Sequence, residues 1–124
     1  VIQGIGHDLL EIHRISQAIG RHGPSFLNRL FTPAEQAYCL QHKESARHFA
    51  GRFAAKEAVA KALGTGFGTH LSWLDLEILP DEYGKPTVHL SGEAKSHFGD
   101  PRIHLTITHG KELASAFALL EERV

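Results

Sequence analysis

Residues 102–120, RIHLTITHGKELASAFALL, decide the fold. The run RIHLTITH alternates apolar and polar side chains with period two, the pattern of a strand with one buried face. LASAFALL follows after a break at Gly110-Lys111, so the two runs form a hairpin. Its Leu113, Ser115, Phe117 and Leu119 share one parity, and Ala or Leu residues occupy the other. Little polar surface remains on either side, which predicts burial on both faces. Upstream, LDLEIL at 74–79 and PTVHL at 86–90 also alternate, and PDEYGK joins them into a first hairpin. A short helix, GEAKSHF at 92–98, separates the two hairpins.

The first half is helical apart from an opening strand at 2–10, where Gly4 and Gly6 allow another backbone to come close. Apolar residues at 9, 12, 15 and 19 predict a helix that Gly20 ends. HGPSFLNRLF at 22–31 reads as a short helix started by Pro24 and Ser25. TPAE at 32–35 is a helix start with Thr32 as N-cap, Pro33 at the first position and Glu35 closing a capping box. That helix is expected to reach about residue 42, and another to run from 44 or 45 to Leu63. Helices first and strands afterwards indicate an α+β fold, an antiparallel sheet with helices on one face. The 124 residues suit one domain, 1–124.

Composition excludes several classes. Net charge is −1, so no global basic footprint points to nucleic acid. No apolar run is long enough to span a membrane, and no signal-peptide pattern opens the sequence. The single Cys39 forms no internal disulfide framework and suits a reducing compartment, so a cytoplasmic location is expected. The ten histidines include no H-x-x-x-H pair, and one cysteine completes no zinc knuckle. GTGFGTH at 64–70 follows a helix, whereas a phosphate-cradling loop precedes one; Gly64 therefore reads as a helix C-cap.

RFAAKEAVAK at 52–61 poses the chemical question. At roughly 100° per residue, Glu57 falls on the same side of the helix as Phe53 and Ala54. Arg52, Lys56 and Lys61 crowd the same turns. Two readings stand: a surface helix with a Glu57–Lys61 pair at i,i+4, or a site where Glu57 holds a metal and the cations hold phosphate.

Three blocks, GIGHDLLEIHRI at 4–15, FAGRFAAKEAVAKALGTG at 49–66 and HLTITHGKELASAFALL at 104–120, together resemble the holo-[acyl-carrier-protein] synthases. RLFTPAE at 29–35 and YGKP at 83–86 add to the match, which covers nearly the whole chain in order. The resemblance implies Mg²⁺-dependent transfer of the phosphopantetheine arm of coenzyme A to a serine of an apo acyl carrier protein. Adenosine 3′,5′-bisphosphate would be released. It implies Asp8 and Glu57 as the Mg²⁺ ligands, a pairing that suits an ion bound by one or two carboxylates plus phosphate oxygens. It gives His109 a place at the coenzyme, and with Asp8 and Glu57 it is a catalytic candidate. Arg52, Lys56, Lys61, Gly64, Lys85 and Pro86 are further coenzyme-contacting candidates. The serine proton could go to Glu57, His109 or a metal-bound water. Many relatives carry Asp after the histidine; this chain has Gly110.

The carrier is expected to dock on the first helix, where Arg14 and Arg21, seven apart, share a face. The resemblance also implies a homotrimer with active sites between subunits. A non-catalytic oligomeric module that binds coenzyme A or nucleotides is the alternative; it would keep the cations without needing both Asp8 and Glu57.

Overall fold

The computed structural model describes residues 1–123. Strand β1 is Ile2–Glu11, followed by helices α1 (Ile12–His22), α2 (Pro24–Leu30), α3 (Pro33–Leu40) and α4 (Ser45–Leu63). A 3-10 turn at Trp73–Asp75 leads into β2 (Leu76–Pro80) and β3 (Pro86–Leu90). Then come α5 (Gly92–Phe98), β4 (Arg102–His109) and β5 (Leu113–Glu121). The architecture is α+β, with the strands in two antiparallel sheets: β1-β5-β4, and the separate hairpin β2-β3.

α4 organises the molecule. Its apolar residues Ala54, Ala55, Ala58, Val59 and Ala62 are buried against Ala116, Ala118, Leu120 and Leu105 of the large sheet. Small residues on both sides let the helix lie close. A Cβ at Gly4 or Gly6 would overlap the carbonyl oxygens of Ala62 and Ala58, so those two positions require glycine. At the other edge of the sheet Gly51 packs on β4, where an added Cβ would make a tight 3.1 Å contact with the Ile107 side chain. Gly64, in the left-handed region at φ 93°, caps α4 as expected.

Two boundaries differ from expectation. β1 continues through Glu11, paired with Leu113, so Leu9 belongs to the strand and α1 starts at Ile12. Gly20 is tolerated inside α1, which ends at Gly23 with φ 52°. The capping box at Thr32 and Glu35 forms as expected. Cys39 is buried, and burial pushes its thiol up to about 12, leaving it inert. Among the described residues no helix is long and apolar enough to cross a membrane.

The predicted burial of β5 on both faces does not hold within one chain. Ala114, Ala116, Ala118 and Leu120 are buried under α4, while Leu113 and Phe117 face outward and are exposed. Ile5 and Leu9 of β1 are exposed on the same side, at 61% and 57%. That face is apolar around a small polar centre, where His7 and Ser115 hydrogen-bond at 2.9 Å.

Candidate active site

The close approach of β1 to α4 determines where Asp8 stands. Asp8 pairs in register with Ala116, and its side chain lies on the α4 side of the sheet. There Lys61 Nζ donates to Asp8 Oδ1 at 3.2 Å and to the His7 carbonyl at 2.9 Å. Glu57, one turn before Lys61, completes the group. Its carboxyl is held above the usual range, first by burial, then by the negative charge of Asp8, with Lys61 opposing both. Two carboxylates that repel each other across a half-exposed lysine present a place where a cation is favourable. Asp8 and Glu57 would suit Mg²⁺, a hard ion that one or two carboxylates can hold. Among the described residues no cluster of three His, Cys, Asp or Glu offers a fuller protein cage.

His109 and Arg52 stand elsewhere. His109 closes β4, two strands across from β1, with Ala114 between it and Leu10. On α4, Arg52 is buried at 5% exposure, its guanidinium 4.4 Å over the Tyr38 ring. Burial, then Arg47 and Arg52, hold the His109 imidazole below its usual pKa, hence neutral near pH 7. Along α4, Glu57 is roughly 7.5 Å and about 140° of rotation from Arg52. The carboxylates and the Arg52–His109 group therefore occupy different flanks of the same helix.

Lys56 is a correction. It is fully buried, ion-paired to Glu35 at 2.7 Å, and donates to the carbonyls of Leu30 at 2.7 Å and Trp73 at 3.1 Å. All three ammonium protons are committed inside the core, so no phosphate reaches it. Glu35 accepts in turn from the amides of Thr32 and Ile78. Lys85 and Pro86 line a cavity of about 390 Å³ with Arg102 and Arg123, at the end of the sheet away from Asp8. Gly64 is exposed one turn past Lys61, and Arg14 and Arg21 are exposed on α1.

A larger cavity, about 890 Å³, opens where α1 begins; the cations Lys43, Arg47 and Lys111 line it, balanced by Glu11, Glu44 and Glu112. These cations were not predicted. They come from a short connection, a helix start and a hairpin turn, and no periodicity links such positions. Neither Asp8 nor Glu57 lines it.

Comparison with known proteins decides the lineage. The profile of the 4′-phosphopantetheinyl transferase superfamily matches residues 4–117. The chain belongs to this superfamily. It is 53% identical over 116 residues to the holo-[acyl-carrier-protein] synthase of Protochlamydia amoebophila, covering 94% of this chain and 95% of that protein. With the synthase of Clostridium novyi it shares 52% over 124 residues, 98% of this chain and 88% of that one. The solved synthase of Neisseria meningitidis superposes with TM-score 0.90 at 32% identity, over 98% and 100% of the two chains. The Helicobacter pylori synthase, solved in complex with coenzyme A, gives 0.87 at 34%, over 94% and 99%. Membership of the 4′-phosphopantetheinyl transferase superfamily makes this chain an enzyme of group transfer.

Proposed function

We propose that the chain transfers the 4′-phosphopantetheine arm of coenzyme A to a serine of an apo acyl carrier protein in the cytoplasm. The products are holo carrier protein and adenosine 3′,5′-bisphosphate. The observation that carries this reading is the Asp8–Glu57–Lys61 group. It is a repelling carboxylate pair beside a half-exposed lysine, as a metal–polyphosphate site requires.

In the proposed reaction the serine oxygen forms a bond to the phosphorus that bears the pantetheine arm. The pyrophosphate P–O bond breaks, and the bisphosphate leaves with the electron pair. Asp8 and Glu57 would hold Mg²⁺, which supplies positive charge to the phosphoryl oxygens as negative charge develops. Lys61, tethered by the His7 carbonyl, stays near enough to Asp8 to counter charge on the same phosphates. Glu57 and His109 are the two side chains able to accept the serine proton. The first has its carboxyl held above the usual range by burial and Asp8, the second has its imidazole held below its usual pKa, and a metal-bound water is the third candidate.

The proposed unit is a homotrimer with its active sites between subunits. Arg52 and His109 of one copy then serve coenzyme bound at Asp8 and Glu57 of the next. The exposed apolar face of β1 and β5 supports association, since Ile5, Leu9, Leu113 and Phe117 are otherwise left to water. Arg14 and Arg21 project from α1, on the side opposite buried Ile12 and Ile15, and offer a cationic docking face to an acidic carrier.

Mass spectrometry of an apo carrier protein incubated with the chain, coenzyme A and Mg²⁺ tests this reading. A gain of one phosphopantetheine arm is the expected result. An unmodified carrier, with coenzyme A bound, would leave the non-catalytic binding module instead.

A further inference from the structure

Four rings and a guanidinium meet at the N-terminal half of α4. His42 stacks on His48 with centroids 3.7 Å apart, and Tyr38 stands edge-on to both. His109 meets His48 edge-on at 5.2 Å, and Arg52 covers the Tyr38 ring. Arg52 has no ion-pair partner among the described residues. Its Nε, His48 Nδ1 and His109 Nδ1 are all buried without a hydrogen-bond partner. Buried polar groups left in this way are costly, and this cluster holds a guanidinium with no counter-ion of its own among the described residues.

The charges specify the ligand's sign. The groups facing His48 are Tyr38 from α3, His42 from the α3–α4 connection, Arg47 and Arg52 from α4, and His109 from β4. None is a carboxylate. Glu44 lies near but is exposed and ion-paired to Arg47 at 2.9 Å. A buried cation and unpartnered imidazoles with no anion facing them suit a phosphate group.

We infer that His48 is a further residue of the coenzyme site, and that it takes up a proton when a phosphate of the nucleotide seats against Arg52 and His109. This rests on coenzyme A being the donor substrate. Without ligand, burial comes first, then His42, His109 and the two arginines, in keeping His48 neutral, with its pKa down to about 4. A phosphate supplies the missing negative charge and offsets the repulsion that the surrounding cations exert on a protonated ring. The stack with His42 limits the uptake, because two imidazolium rings at 3.7 Å repel each other. Binding is thereby linked to protonation, and affinity for coenzyme A rises as pH falls from about 8 towards about 6.

Titration calorimetry of the full chain with coenzyme A, near pH 6.5 in buffers of different ionisation enthalpy, counts the protons. The wild type is expected to take up about 0.5 proton per site more than His48→Phe or His48→Gln. Equal proton counts in all three would overturn the assignment. Should both variants fail to fold, NMR titration of the His48 ring in the wild type decides. Its pKa must rise on adding coenzyme A, and an unchanged value overturns the inference. Absence of any binding heat with the wild type is a different failure, which removes the coenzyme reading itself.

Discussion

At Glu57, burial and the Asp8 carboxylate both favour the protonated form, and Lys61 only partly offsets them. A side chain kept in so unfavourable a setting is a candidate for function. Asp8→Ala and Glu57→Ala are each expected to leave the fold intact and to lower transfer on the order of 10²–10³-fold. Near-normal turnover of either variant at limiting Mg²⁺ would remove the two-carboxylate site. His48 provides a second test at this scale. Its folded pKa, about 4, lies below the ordinary 6.5, so the unfolded chain binds the proton first. Its contribution to stability is therefore complete above about 6.5 and declines as pH falls towards about 4. Melting temperatures followed across that window should fall less steeply for His48→Phe than for the wild type. Parallel curves would mean that the ring titrates normally.

The elements were legible in the sequence where their causes are local. Period-two alternation marks β4 and β5, Thr32-Pro33 and Glu35 mark the start of α3, and Gly64 marks the end of α4. α1 was misplaced because Leu9 fits both a helical stripe and a strand, and only pairing of Glu11 with Leu113 assigns it to β1. Asp8, Glu57 and Lys61 were readable as a group through the family's motifs. Lys56 was misread because its partner, Glu35, lies on another helix, and no spacing within 52–61 signals it. The buried pair ties α3 to α4 and, through the Ile78 amide, to β2. Lys56→Met is expected to cost about 3–5 kcal/mol by leaving Glu35 charged and unpaired. Denaturant unfolding measures this; a variant of unchanged stability with a raised KM for coenzyme A would return Lys56 to the phosphates. On α1, Arg14→Glu should raise the KM for the carrier protein, with a smaller effect from Arg21→Glu. Exposed charges are screened over about 10 Å at 0.1 M salt, so added salt should imitate the defect. An altered KM for coenzyme A alone would move these arginines to the nucleotide.

For the whole molecule, the two flanks of α4 pose a geometric problem that one chain does not solve. Asp8, Glu57 and Lys61 lie beside β1, whereas Arg52, His48 and His109 gather where α4 meets α3 and β4. From Glu57 to His48 is nine residues, roughly 13.5 Å along the helix and about half a turn round it. In the proposed trimer a second copy, drawn in by the exposed face of β1 and β5, would supply the other half. Light scattering at micromolar concentration should then report about three times 13.7 kDa. Complementation tests the shared site most directly. Glu57→Ala and Arg52→Ala chains, each deficient alone, are mixed, unfolded and refolded together, and their transfer rate is measured. In a trimer assembled at random from equal amounts, about one site in four joins an intact Glu57 to an intact neighbouring Arg52. The account predicts recovery to about a quarter of wild-type activity; activity no greater than the mean of the two separate variants would contradict it.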